Sequence, residues 1–315
     1  MQTTTMMRAV RCKAWGGPDV LELIETARPE PGLAEVLVRV HATSVNPTDW
    51  KSRMAGGGIT GEPPILGYDV SGVVEVAGPG VTLFQPGDEI FGMPRFPQQA
   101  STYAEYVTAP ARHFTRKPAS LDHLHAAALP LAGLTAWQAL TETADVRPGQ
   151  RVLIHAAAGG VGHLAVQIAK ARGAYVIGTA SEAKHAFLRG LGADELIDYR
   201  QQDFAEAVKE IDVVLDTIGG DYFDRSLKVL RPGGFLISLT ELIEPDRIAA
   251  AASLGISAGF TLVEADYAGM KALAGLVDAG QLRVEIDSVF PLAEAAAAHR
   301  HGETGRTTGK IVLAV

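Results

Sequence analysis

Cysteine is nearly absent: Cys12 is the single example in 315 residues. One thiol forms no intrachain disulfide and builds no Cys-rich structural zinc site, so neither staple holds the chain. Positive charge is in deficit. Lys and Arg total 28 against 36 Asp and Glu, a formal net of -8. No dense basic run occurs, which leaves no electrostatic footprint for a nucleic-acid partner. Long apolar runs are missing too. The start carries no apolar h-region with a small-residue cleavage pattern. The most membrane-like window, Ile248 to Val263, is short for a bilayer span. The expectation is a cytoplasmic protein with neither a membrane nor a nucleic-acid partner.

What is present is a globular composition. Hydrophobic residues make up 47% and Gly numbers 34, which excludes a disordered chain and implies many tight turns. The length suggests two domains.

The first third reads as short strands between turn signals. Candidates are Val36 to Val40, Asp69 to Ala77, Glu89 to Gly92 and Tyr103 to Val107, a small mostly β unit. Residues 121–128 turn helical, Pro130 interrupts, and 134–140 resume. From Gln150 the pattern alternates: strands at 151–155, 175–178, 195–199, 212–216 and 234–238 separate helices at 161–172, 181–191, 204–210 and 223–230. A sixth strand is expected at 260–263. Apolar strands between helices imply an α/β fold with a doubly wound parallel sheet of Rossmann type.

The strongest motif opens that region. His155-Ala156-Ala157-Ala158-Gly159-Gly160-Val161-Gly162 fits G-x-G-x-x-G with alanine first (Ala157, Gly159, Gly162). It follows a strand and starts a helix, the context that dinucleotide binding requires. Small residues permit the tight turn, Gly159 admits the pyrophosphate, and Gly162 lets the helix pack against the sheet. Free N–H groups at the helix start, around Gly160 and Val161, then face the phosphates.

The second strand ends in Thr179-Ala180-Ser181 rather than in the acid an NAD ribose wants. Lys184, one turn on, is within reach of a 2′-phosphate, and Ser181 can cap the helix or bond that phosphate. NADPH is therefore the expected cofactor. Thr217, or the backbone of Ile218, sits where the fourth strand delivers a ligand contact to the nicotinamide-side ribose.

These residues, with Asn46-Pro47-Thr48-Asp49-Trp50-Lys51, Ile65-Leu66-Gly67-Tyr68-Asp69-Val70-Ser71-Gly72, Gly87 to Gly92, Val166 to Lys170 and Thr308-Gly309-Lys310-Ile311-Val312-Leu313, make the chain resemble the zinc-independent quinone oxidoreductases of the medium-chain dehydrogenase/reductase superfamily. The resemblance spans nearly the whole chain. It implies a GroES-like substrate domain, residues 1–126 completed by 274–315, and a Rossmann domain at 127–273, with the active site between them. It implies dimers joined through the nucleotide domains. It also implies that Lys184 and Tyr199 grip the adenosine phosphate end.

Zinc relatives carry a cysteine and a histidine where this chain has Asn46 and Tyr68, so no metal is expected. Without zinc, the easier chemistry is hydride transfer to an already electrophilic acceptor. Asn46 is the candidate to orient the acceptor or the nicotinamide ribose, and Tyr68 to donate a hydrogen bond or line the pocket. Trp50, Phe91 and Phe96 are candidate apolar walls for a small apolar or aromatic electrophile. Asp49 is expected to brace the Asn-Pro loop. The expected activity is NADPH:quinone reduction. The alternatives are reduction of a 2-alkenal, enone or enoyl thioester, or a nucleotide-sensing scaffold with little turnover.

Overall fold

The computed structural model describes residues 5–55 and 64–315. The chain divides into two compact units. The first holds residues 1–134, 264–279 and 284–315, the second 135–263 and 280–283.

The first unit begins with a hairpin of β1 (Met6–Cys12) and β2 (Leu21–Ala27). Next come β3 (Glu35–Val45), α1 (Pro47–Ala55), β4 (Val70–Ala77), β5 (Glu89–Gly92), β6 (Tyr106–Pro110) and β7 (Phe114–Arg116). The short helix α2 (His123–Ala127) and α3 (Pro130–Trp137) end the segment. In β3, Val36, Val38 and Val40 alternate onto one face and pack with Val70, Val74, Ile90, Val107 and Phe114. β-branched residues suit such a pleated, half-buried surface.

The second unit carries β8 (Arg151–Ile154), α4 (Gly162–Ala171), β9 (Tyr175–Thr179), α5 (His185–Gly190), β10 (Glu195–Ile197), α6 (Phe204–Ala207) and β11 (Ile211–Asp216). It continues with α7 (Tyr222–Leu227), β12 (Leu230–Ser238), α8 (Pro245–Ser253) and β13 (Ser257–Phe260). Its six strands are all parallel, in the order β10-β9-β8-β11-β12-β13. Counted within the unit this is 3-2-1-4-5-6, the doubly wound arrangement whose order reverses between β8 and β11. Leu153, Ile177, Ile197, Val214 and Leu236 form its core with Phe204 and Phe223.

The chain then returns to the first unit with α9 (Tyr267–Asp278), β14 (Ile286–Pro291), α10 (Ala295–Glu303) and β15 (Lys310–Ala314). β15 pairs antiparallel with β3, setting Ile311 opposite Val45. The first unit's large sheet thus runs β14-β15-β3-β4-β5-β7, with β6 also on β3.

Several expectations shift. Pro130 opens α3 rather than breaking a helix, because a proline at the first helical position lacks only an N–H that would go unbonded there anyway. The joins between units also move. Residues 127–134 and 264–273 belong to the first unit, because Leu131 N–H bonds Asp69 Oδ1 at 2.7 Å and Gly133 packs on Leu273. Residues 280–283, expected with the first unit, belong to the second, where Arg283 and Gln167 exchange two hydrogen bonds of 2.9 Å. The sixth strand forms at Ser257–Phe260, earlier than expected, and the third ends at Ile197. The helix expected at 181–191 is split into a 3-10 turn, Glu182–Lys184, and α5. Strand β6 starts at Tyr106, beyond most of the expected 103–107. The window Ile248 to Val263 is divided between α8 and β13, and among the described residues no helix is long and apolar enough to cross a membrane.

Inside the first unit, Arg53 of α1 is fully buried. Its Nε donates to Gly16 O at 2.9 Å, Nη1 meets His299 Nδ1 at 2.9 Å, and Nη2 pairs with Glu303 of α10. His299 Nε2 in turn meets the Tyr103 hydroxyl at 3.1 Å. Removing one partner of such a cluster strands the rest. Arg53→Met is expected to cost ~3 kcal/mol of stability, read as a lowered urea midpoint with unchanged slope; an unchanged midpoint would show that the cluster contributes nothing net.

Candidate functional site

The glycine turn occupies residues 155–161, between β8 and α4. Its anchors come from the neighbouring strand ends. His155 N–H bonds Leu215 O, Ala157 N–H bonds Thr179 O at 3.0 Å, and Ala156 N–H bonds Thr179 Oγ1 at 3.2 Å. Ala156 takes φ +44°, a left-handed conformation costly for a residue with a Cβ. Its carbonyl lies so close to α4 that a Cβ on Gly162 would sit 2.5 Å from Ala156 O and 2.7 Å from Ala157 Cα. On Gly159 a Cβ would meet only Ala156 O, at 3.2 Å. Gly162 is thus a packing requirement and Gly159 is not. Among the described residues none accepts a hydrogen bond from the amides of Gly160, Val161 or Gly162. Those donors at the start of a ten-residue helix fit a pyrophosphate.

The residues expected around the rest of the nucleotide are placed as follows. Ser181 is buried at the end of β9, but its hydroxyl caps no amide, so the capping role does not occur. Lys184 is half-buried and ends the 3-10 turn. Tyr199 is 50% exposed, with the Arg200 guanidinium 5.6 Å from its ring centre. Thr217 donates its hydroxyl to His155 O at 2.7 Å, which leaves only oxygen lone pairs for a ligand. Asp216, at the end of β11, accepts from the Ile218 and Gly219 amides at 2.9 and 3.0 Å.

Beneath the turn, the His155 ring lies edge-on to Phe204 and Tyr222 and reaches Ser226 Oγ at 3.1 Å. Burial, aided by Arg225, pulls its pKa down to about 3.

In the first unit, β3 ends at Val45 and Pro47 starts α1, so Asn46 stands at the helix entrance. Asp49, three residues on, accepts from Asn46 N–H at 2.7 Å and from Gly67 N–H at 3.1 Å. This is half of a capping box, in which the acid in the first turn reaches back. The Asn46 side chain is free of capping duty. It donates from Nδ2 to Asp69 Oδ2 at 2.7 Å and accepts from Lys310 Nζ at Oδ1. Ser44 Oγ also donates to Asp69 Oδ2, at 2.5 Å. Asn46, Asp49, Asp69 and Lys310 are all buried.

Burial raises Asp49 to about 7, with Asp69 adding to the shift and its amide donors opposing it. Burial lowers Lys310, against the pull of Asp69 and Asp49. Tyr68 is pushed up to about 12 by burial and by Asp49, against a hydrogen bond from Ser52. It therefore stays a hydroxyl donor at neutral pH. Its ring stands edge-on to half-buried Phe96 at 4.9 Å.

One of the expected walls is corrected. Phe91 has no exposed surface, because the β5 pleat turns it inward. Trp50 is half-buried, with one side of its ring against α10, where a Cβ on Gly302 would lie 2.7 Å away. The motifs did not single out Asp69 and Lys310 as partners of Asn46, nor Ser44 as a further donor to Asp69. The available signal was a lysine inside the apolar run Lys310-Ile311-Val312-Leu313, which has to find a carboxylate if it points inward.

A doubly wound sheet with open amides at its glycine turn, and a donor-rich polar cluster in a separate β unit, define a nicotinamide-dependent oxidoreductase. Residues 32–119 match the family described as alcohol dehydrogenase GroES-like domain, and residues 191–313 the family described as zinc-binding dehydrogenase. The 2-haloacrylate reductase of a Burkholderia species is 39% identical across 95% of this chain and 96% of its own. The quinone oxidoreductase of Pseudomonas aeruginosa is 36% identical across 98% of this chain and 99% of its own. The solved quinone oxidoreductase from Coxiella burnetii superposes with a TM-score of 0.93 at 40% identity, over 99% of this chain and 100% of that one. The chain belongs to the zinc-independent quinone oxidoreductase group of the medium-chain dehydrogenase/reductase superfamily. Its family uses NAD(P)H. One family description mentions zinc; among the described residues no group of three or more His, Cys, Asp or Glu is arranged to hold a metal ion.

Gly162→Ala is expected to cost ~2 kcal/mol of stability through overpacking, whereas Gly159→Ala is expected to be nearly neutral in urea denaturation. Equal effects would mean that the turn relaxes around either methyl. His155 is neutral in the fold and titrates near 6.5 when unfolded. Its contribution is complete above pH 6.5 and is lost as pH falls towards 3. His155→Gln is expected to reduce the slope of stability against pH between 4 and 6 by up to about 1.4 kcal/mol per pH unit; urea titrations across that range that run parallel to wild type would contradict it.

Proposed function

We propose that the protein transfers hydride from NADPH to a quinone. The observation that carries this reading is the chemistry around Asn46 and Tyr68. Both are hydrogen-bond donors, Asn46 is backed by the buried Lys310 ammonium, and the two neighbouring carboxylates are taken up by amide and hydroxyl donors. Such a cluster suits an oxygen that gains negative charge.

When bound, the reduced nicotinamide supplies the hydride. The amides of Gly160, Val161 and Gly162 hold its pyrophosphate, with Ala157 and Gly159 shaping the approach. Ser181, Lys184 and Tyr199 hold the adenosine end, and Thr217 the nicotinamide-side ribose. With no acid at the end of β9 and Lys184 one turn beyond, a 2′-phosphate is favoured over a bare ribose hydroxyl. Tyr68 and Phe96 offer apolar surface to a flat acceptor. Hydride addition to a quinone leaves a hydroquinone anion, which Asn46 and Tyr68 stabilise until water protonates it.

A second reading is reduction of an activated alkene, favoured by the likeness to a 2-haloacrylate reductase. It uses the same donors on the conjugated carbonyl. We further propose a cytoplasmic homodimer joined through the nucleotide units, supported by strand β13, which lies at the end of its sheet.

Purified protein is expected to oxidise NADPH in preference to NADH with 1,4-benzoquinone or a naphthoquinone, in a saturable manner, above the protein-free rate. Turnover of 2-chloroacrylate or a 2-alkenal with idle quinones would establish the second reading instead. A preference for NADH would overturn the roles given to Ser181 and Lys184.

A further inference from the structure

Lys310 opens the otherwise apolar strand β15, and it is 3% exposed. Burying an ammonium is costly unless it is well paired, and an apolar side chain would fill the same space at lower cost. Its placement follows from strand register. Ile311 lies opposite Val45, so the next residues along, Lys310 and Asn46, meet at the end of the pairing. Nζ donates to Asn46 Oδ1 and approaches Val45 O at 3.4 Å, with Asp69 Oδ2 at 3.9 Å.

These contacts determine which way the Asn46 amide faces. Its oxygen must meet the ammonium and its nitrogen the carboxylate; the flipped amide would set donor against donor and acceptor against acceptor. One Nδ2 hydrogen is spent on Asp69. The other has no acceptor among the described residues. A cation on the amide oxygen draws electron density from the nitrogen and strengthens the remaining N–H as a donor. The Asp69 carboxylate faces the ammonium at 3.9 Å, with the Asp49 carboxyl as a second acidic neighbour, so the positive charge is matched within the cluster while Asn46 keeps its strengthened donor. Such a donor binds a neutral carbonyl weakly and a developing oxyanion strongly, the difference that lowers a barrier.

We propose that Lys310 is a positioning residue: held by Asp69, it orients and polarises Asn46 so that the second Nδ2 hydrogen stabilises the acceptor oxygen as it takes up charge. The inference rests on the hydride-transfer reading above and applies to a quinone or a conjugated enone alike.

The test is a double-mutant cycle on Lys310→Met and Asn46→Ala. Each variant is first checked for native circular dichroism and for NADPH binding by fluorescence. Lys310→Met is expected to lower kcat about tenfold, more on a weakly electrophilic 2-alkenal than on 1,4-benzoquinone, with KM changed less than about twofold. In the Asn46→Ala background the same change is expected to add nothing. Losses that multiply, or a loss confined to KM, would overturn the proposal. Where Lys310→Met does not fold, the pair Asp69→Asn with Lys310→Met removes both buried charges and carries the same expectation.

A second readout needs no turnover. 4-Nitrophenol changes absorbance on ionisation, and its apparent pKa when bound is expected to be lower in the wild type than in Lys310→Met; equal values would overturn the proposal. Wild-type protein that binds NADPH yet reduces no acceptor would instead remove the hydride-transfer reading, and this inference with it.

Discussion

A charged group taken out of water has to be paired, and in the first unit that requirement organises everything around the site. Lys310 can be buried only where a carboxylate meets it, which brings β15 and the loop ahead of β4 together at Asp69. Asp69 also accepts from Ser44, Asn46 and the Leu131 amide, so β3, the entrance of α1 and the start of α3 converge on one carboxylate. Arg53 does the same on the other side of α1, gathering Gly16, His299 and Glu303. The helix that Asn46 leads into is therefore held by polar contacts at both ends, and the neighbouring apolar core packs around that geometry.

In the second unit the governing constraint is steric rather than electrostatic. The close approach of the Ala156 carbonyl to α4 leaves no room for a side chain at 162 and points the first amides of the helix outward. The strand order places this turn where the winding of the sheet reverses, between β8 and β11. Loops diverge at such a point and leave a crevice. The same small residues that allow the tight turn thus also leave its amides free for an anion.

Much of this was legible in the residues. The glycine turn after an apolar strand, and the alternation of strands and helices from 150 onward, report the parallel sheet because period and composition are local properties. Asn46 and Tyr68 stood out by type at positions where zinc relatives have metal ligands. The walls read less well. Phe91 looked like a pocket aromatic, yet it faces the interior. Aromatic character does not encode which way a pleat or helix turns its side chain. Ser181 likewise occupies an N-cap position without capping, because the segment after it winds as a 3-10 turn.

By itself the sequence determined the class of chain: a nucleotide-binding α/β region, a strand-rich remainder, and no cysteine framework for metal or disulfide. These depend on composition and on spacing within a dozen or so residues. Only the tertiary structure decided that Lys310 lies against Asn46, 264 positions away along the chain. That contact exists because β15 pairs antiparallel with β3 in one register. A shift of one residue would turn Lys310 to the opposite face. No local pattern specifies such a register; it emerges when the whole sheet closes and the buried charge finds its partner.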